Sequence, residues 1–377
     1  MIKTTLIGHA CLLIQSKETT VLTDPVWFDY LWEEVNVLCP SIILKKDKIP
    51  PVDVLNISHR HQDHFDIRTL AYLVQNEKIL KPDSIVLAPN DDLVLDILKE
   101  LEFKNIKIVS DFESIKVNDV TLTPTPSRNQ ASTAEDDFPE HGLVVSDGDV
   151  TIWNQVDSLV NPEIIQQIGE IFGQIDFFHS RFVPLLEGNF SYNKPLNLPI
   201  EEYCTFLNVV RALGPKFVVP GSAAFRYRNE LTFLNQFSFP TTQEQFLSDI
   251  SAFCPEILSA PFFPGDVAHI STDGVQIKEQ NSDFVRVLED DSHLVTFKPV
   301  AEVPAIKTQT TDQEIYKKEM EVVEGFIEDC LIERILKSDL LSGWQHWQIF
   351  YQLEVFGQEG SQVWGIDFGQ SSQPKLH

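Results

Sequence analysis

At 377 residues the chain is long for one ordinary domain, yet one large sandwich with additions holds it. It is 43% hydrophobic and 10% aromatic, enough for a packed core and unlike a disordered chain. Its 29 Lys plus Arg against 56 Asp plus Glu leave a formal charge of −27, which repels phosphate backbones and anionic lipid and argues against a nucleic-acid or membrane partner. Cys11, Cys39, Cys204, Cys254 and Cys330 form no C-x-x-C, as expected of reduced thiols in a cytoplasmic protein. The opening lacks a leader-like apolar run, and no stretch reads as long enough to span a bilayer.

Residues 2–7, 10–15 and 20–24 read as three short strands, the last two parted by the polar turn Gln15-Ser16-Lys17-Glu18-Thr19. An aromatic stretch runs from Trp27 towards Pro51, where Trp27 forms either a wall over a cleft or an ordinary packing contact. The apolar strand Val52–Ile57 then leads directly into Ser58-His59-Arg60-His61-Gln62-Asp63-His64-Phe65-Asp66. Open α/β sheets present their chemistry at such strand ends, and this density of imidazole and carboxylate donors reads as a site for zinc, iron or manganese. His59 and His61, two apart, face one cation, while Asp63 and His64 turn towards a second position.

Asp66 caps a helix over 67–76 with Leu70, Leu73 and Val74 on one face. Ser84 to Ala88 is a strand, and a helix from Asp91-Asp92 to Leu101 places Leu93, Ile97 and Leu101 together. Strands at 106–109 and 120–123 complete an alternation typical of a layered α/β fold. Beyond the polar segment Pro124–Pro139, Leu143–Val145 and Val150–Trp153 form a hairpin turning at Asp147-Gly148-Asp149 and running on to Asp157. A helix over 162–171 precedes an apolar strand in which His179 either faces the cleft or sits satisfied in the core. A helix over 200–213 is followed by the apolar run 215–225, which contains Ser222. Near the carboxy terminus Thr311-Asp312-Gln313-Glu314 is a capping box opening a helix to about 337. Its apolar stripe runs through Val322, Phe326 and Cys330 and through Val323, Ile327, Leu331 and Ile335. Residues 351–355 and 363–368 close the chain as two strands or a helix–strand pair.

The string H-x-H-x-D-H after a strand is the signature of the metallo-β-lactamase superfamily, which the chain also resembles at Leu6–Ile14 and at Val21-Leu22-Thr23-Asp24-Pro25. The resemblance implies an α/β fold of four-layer αββα sandwich type, often with two metal ions. The residue pattern divides the chain into this sandwich over 1–300 and an α+β appendage over 301–377 packed on it. The superfamily places a bridging carboxylate where Asp157 stands, so Asp157 is expected to join His59, His61, Asp63 and His64, with Asp63 and Asp157 carrying the chemistry. Its hydrolases have a further metal histidine near residues 124–141, where this chain offers Glu135, Glu140 or His141, and a last one where this chain has Ser222.

These departures, with Ile152–Asp157, Phe177–Phe182, Pro220–Phe225 and Phe262–Asp266, are similar to the catalytic region of the CMP-N-acetylneuraminate hydroxylases. That similarity implies a non-haem di-iron oxygenase acting on a small polar metabolite with dioxygen and an external electron donor. Carboxylates in place of histidines shift the preference from zinc towards harder iron or manganese. The Rieske domain found ahead of this region in those relatives is expected to be absent or separate, since no C-x-H/C-x-x-H pair occurs here. Asp24, Trp27, His179 and Ser222 would then shape the pocket. The alternative is a metal-dependent hydrolase of an ester, amide or phosphodiester. The apolar stripe of the 311–337 helix is too narrow for an independent core. A separately produced 300–377 fragment is therefore expected to show no cooperative transition when its melting is followed by circular dichroism.

Overall fold

The computed structural model describes residues 1–31, 35–128, 138–184, 186, 189–190, 195–223, 225–298, 312–338, 341–346, 348–357, 360–369 and 375–376, so Glu135 and Thr311 lie outside the described residues. The chain divides into two compact units, Met1–Glu302 and Val303–His377.

In the first unit the amino-terminal apolar runs form the antiparallel strands β1 (Ile2–Gly8), β2 (Cys11–Gln15) and β3 (Thr20–Thr23). β4 (Val52–Asn56) lies parallel to β3. Crossovers then carry the chain through α1 (Ile67–Val74), β5 (Leu80–Ala88), α2 (Asp92–Glu100) and β6 (Ile106–Ile108). Both helices begin where a carboxylate takes free amides: Asp66 accepts from Thr69 N, and Asp91 from Leu93 N and Val94 N.

A second sheet starts with the antiparallel β7 (Ile115–Val117), β8 (Val120–Pro126), β9 (His141–Ser146) and β10 (Thr151–Asn154). It continues in parallel through β11 (Phe177–Arg181), β12 (Phe217–Gly221) and β13 (Leu258–Ser259). These are reached through α3 (Pro162–Phe172), α4 (Ile200–Leu213) and α5 (Gln243–Phe253). β14 (Val267–Ser271) and β15 (Gly274–Lys278) return to the first sheet, β14 pairing with β1. The two sheets have eight and seven strands, ordered β15-β14-β1-β2-β3-β4-β5-β6 and β7-β8-β9-β10-β11-β12-β13.

Leu12, Ile14 and Val54 meet Leu143, Ile152 and Phe177 between the sheets. Leu70, Leu73, Val94 and Leu98 of α1 and α2 cover one outer face, and Ile164, Phe206 and Phe246 of α3, α4 and α5 cover the other. This is the expected four-layer αββα sandwich, and it brings the ends of β1, β3, β4 and β10 to one edge. Among the described residues no helix is long and apolar enough to cross a membrane.

Three local details depart from or add to the expectations. The face of α2 that packs inward carries Val94, Leu95 and Leu98, while Leu93 is 49% exposed. With Leu, Val or Ile at most of its positions, α2 offers two apolar faces, and packing rather than pattern chooses between them. Residues 267–278, inside the expected 1–300 sandwich but given no element from the sequence, supply the strands that complete its first sheet. In the second unit Asp312 caps the helix Gln313–Gly325, accepting from Glu314 N and Ile315 N. That helix passes through a π-helical turn at Phe326–Leu331 into Ile332–Leu336, with Val322 and Phe326 exposed. The closing segments are two antiparallel strands, Phe350–Gly357 and Gly360–Asp367, with Ile335, Ile366 and Phe368 in a small cluster.

One close approach ties the second sheet to the site edge. A methyl group added at Gly221 would come within 2.5 Å of the buried His179 ring. Gly221→Ala is expected to destabilise the protein by about 1–3 kcal/mol in denaturant titration through overpacking, and the added cost is expected to shrink in a His179→Ala background.

Candidate metal centre

The cluster sits on the short loop between β4 and α1, held from both sides. His64 N and Phe65 N donate to His61 O, and Asp66 caps the helix that follows. The turn between β1 and β2 contributes His9, and the loop after β10 contributes Asp157. Two groups of donors result: His59, His61 and Asp157 in one, and His9, Asp63 and His64 in the other, the ligand atoms of each lying within 4.8 Å of one another. His59 Nε2 faces His61 Nδ1 at 2.9 Å, and His9 Nε2 faces His64 Nε2 at 3.0 Å. Nitrogens this close either share a proton or turn both lone pairs on one cation. Asp63 Oδ2 lies 3.1 Å from His9 Nε2. Asp157 Oδ2 lies 3.4 Å from His64 Nε2, so Asp157 reaches both groups.

Behind the donors Asp24 sets their orientation. Its oxygens accept from Ser58 N at 2.8 Å, from Ser58 Oγ at 2.7 Å and from His64 Nδ1 at 3.1 Å. Because the Ser58 hydroxyl hydrogen is directed to Asp24, Ser58 Oγ accepts from His59 Nδ1 at 2.9 Å. His59, and His64 once it gives up its second proton to a cation, thereby turn Nε2 towards the centre. Phe138 stacks on His59 with ring planes 4° apart and meets His61 edge-on, and the Arg60 guanidinium lies over the Phe138 ring while donating to Asp91.

The electrostatics are those of a site that a cation would complete. Burial pushes the His59 imidazole well below its ordinary value, aided by His64. Burial also opposes a charge on His64, but Asp157, Asp63 and the hydrogen bond to Asp24 hold it well above. Asp157 resists burial and stays well below the carboxylate range because of His64, Arg181 and His59. Arg181 additionally donates to the Asp157 main-chain oxygen at 2.5 Å.

Of the residues proposed for the remaining ligand, Glu140 lies beside Asp157 and His64 but within neither of the two donor groups. Burial and the neighbouring Asp157 push its carboxyl up to about 7, and its Oε1 is buried with no hydrogen-bond partner among the described residues. His141 does not join the donors. Adjacent residues entering a strand point to opposite faces, and the His141 ring turns to Asn56, Nε2 lying 3.0 Å from Oδ1, with burial lowering it to about 4. His179 stands one layer back, its Nδ1 2.8 Å from Asn154 Oδ1, and burial lowers it to about 3. Trp27 packs edge-on against Tyr72 of α1 as a core contact. Asp24 is buried behind the histidines, and Ser222 lines a cleft beside His9.

His9 and Phe138 were not singled out from the sequence. The signal for His9 was a lone imidazole in the otherwise apolar run Leu6-Ile7-Gly8-His9-Ala10-Cys11, at the turn between two strands. Phe138 carried none, since it ends a polar segment. The facing nitrogens and the orphaned Glu140 oxygen suit two oxygen- and nitrogen-ligated cations.

Comparison with known proteins agrees with this geometry. The family model described as the Beta-lactamase superfamily domain matches residues 3–221, more than half of the chain. The chain belongs to that superfamily, and its sandwich is the metallo-β-lactamase fold. A protein of Mycolicibacterium smegmatis named for a Rieske 2Fe-2S iron-sulfur centre is 31% identical over 180 residues, 46% of this chain and 32% of that protein. The 4-amino-L-phenylalanyl-[CmlP-peptidyl-carrier-protein] 3-hydroxylase of Streptomyces venezuelae is 24% identical over 174 residues, 45% of this chain and 32% of that protein. The aligned stretch thus spans about a third of the length of these curated relatives. Isothiocyanate hydrolase from Delia radicum gut bacteria shares the fold, with a TM-score of 0.50 and 16% identity over 72% of this chain and 99% of that one.

If His9 serves one cation, His9→Ala is expected to lose roughly one metal ion per chain after loading and desalting, as read by plasma mass spectrometry. His141→Ala is expected to retain the full content.

Proposed function

We propose that the chain is a non-haem di-iron oxygenase acting on a small metabolite with dioxygen and electrons from an external donor. The observation that carries this reading is the carboxylate weight of the donor set. Glu140 points a buried, unpartnered oxygen near Asp157 and His64, whereas the neighbouring His141 is turned away to Asn56. Carboxylates favour harder, redox-active metals and stabilise their higher oxidation states. When bound, the iron pair supplies the electrons and the open positions that dioxygen activation requires.

The chain's own residues have separable tasks in this reading. His59, His61 and Asp157 hold one cation, and His9, Asp63 and His64 the other, with Asp157 joining the two positions and Glu140 completing the set. Asp24 and Ser58 fix the imidazole tautomers. Phe138 shields the His59 ring from water. The names of the two relatives, a hydroxylase and a Rieske protein, support oxidative chemistry fed by an electron carrier.

The test is oxygen uptake by the iron-loaded protein given a reductant and candidate substrates. Substrate-dependent uptake is expected, and Asp24→Asn is expected to lower it about 10–100-fold by releasing His59 and His64 from their orientation. Turnover with zinc alone and without oxygen consumption would assign the chain to the hydrolases instead.

A further inference from the structure

Beside the His9–Asp63–His64 group opens a cleft of about 640 Å³. Its walls combine two features. Phe182, Phe239, Phe262 and Phe297 give it an apolar body. Four residues on the same walls each carry a buried side-chain atom with no hydrogen-bond partner among the described residues: His9 Nδ1, Ser222 Oγ, Thr241 Oγ1 and Gln243 Oε1. His9, Ser222 and Thr241 are 5%, 8% and 4% exposed. Buried polar atoms are nearly always paired, so several orphans on one cleft mark where a ligand supplies the missing partners.

Charge decides what kind of ligand. Anionic groups are ordinarily recognised by Arg or Lys, and among the described residues neither lines this cleft, whose basic groups are the imidazoles of His9 and His293. Glu244 and Asp290 stand on the walls instead. The amino terminus of α5 also reaches the cleft and favours an anion by about half an elementary charge. Thr242 caps that terminus and Glu244 occupies its first turn, so its field is already met. Two carboxylates outweigh it, in a chain of net charge −27. Gln243 Oε1 is an acceptor that needs a donor opposite it.

We propose that this cleft binds a ligand with an apolar or aromatic body and a hydrogen-bond-donating cationic head, an amine, and that it rejects carboxylates and phosphates. That the bound amine is the substrate rests on the oxygenase reading above; the charge preference itself does not.

Calorimetric titration of the metal-loaded full chain with benzylamine and with benzoate, one ring bearing opposite heads, reads the preference directly. Benzylamine is expected to bind at least about tenfold more tightly than benzoate, the scale of one hydrogen bond to a charged group. Gln243→Leu and, independently, the surface change Glu244→Gln are expected to weaken benzylamine and not benzoate. Benzoate binding as tightly as benzylamine overturns the proposal, as does unchanged benzylamine affinity in both variants. Calorimetry needs no turnover. Absent oxygen uptake with the amine preference intact therefore removes only the oxygenase reading, and a lost preference with intact uptake removes only this one.

Discussion

Asp24 is a carboxylate with 1% of its surface exposed, and such a group is tolerated inside a protein only when its oxygens are fully engaged. Here they accept from the Ser58 amide, the Ser58 hydroxyl and the His64 ring. Each of those bonds has a consequence further out. The amide bond pins Ser58 at the start of the loop that carries the histidines. The hydroxyl bond uses the Ser58 hydrogen, so the serine oxygen receives the His59 Nδ1 hydrogen. The ring bond holds the Nδ1 side of His64 in the same way. One buried charge thus sets the orientation of a histidine in each donor group, and the rest of the site can be read as built on that arrangement.

The backbone is strained at the places where donors are presented. His9, Asp24, Val156 and Ser222 all have positive φ, at 50°, 39°, 57° and 56°, although none is glycine. They follow β1, β3, β10 and β12, so the same distortion recurs at four strand ends along one edge. For an L residue the left-handed region costs about 1–2 kcal/mol, and a β-branched side chain such as Val156 is least suited to it. Strain of this kind persists where packing over-determines it and is characteristic of functional edges. The sheet interface and both helical layers provide that packing, and Gln155 anchors the Val156 turn by bonding Ser158 O and accepting from Arg181 N.

The charges around the edge are arranged in opposition. His64 is held towards its charged form by Asp157 and Asp63, while His59 and His61 are held towards neutrality by burial. Neutral imidazoles and ionised carboxylates are the forms that ligate metals. A cation in the His9–Asp63–His64 group would take over from the proton the compensation of Asp63 and Asp157. The formal charge of −27 and the Glu244 and Asp290 carboxylates on the cleft extend the same sign of potential outward.

Much of this was legible in the linear sequence because it depends on local periodicity and local chemistry. The strand 52–57 followed by His59, His61, Asp63 and His64 needs only alternation and spacing, and so do the caps at Asp66 and Asp91. The layered α/β order follows from strands alternating with helices. Other features depend on what distant segments do to one another. Nothing in residues 6–11 states that His9 will meet His64, since 55 positions separate them and the pairing of β1 with β2 decides it. Glu140 and His141 are adjacent and chemically plausible alike; the direction in which β9 starts leaves Glu140 beside Asp157 and sends His141 to Asn56. The inward face of α2 and the return of residues 267–278 to the first sheet were likewise settled by packing. The sequence by itself determined which donors exist and where the chain would present them. Only the tertiary structure decided which of them share a cation position, because that choice is made by side-chain direction and burial across the sandwich, and neither is a property of any one segment.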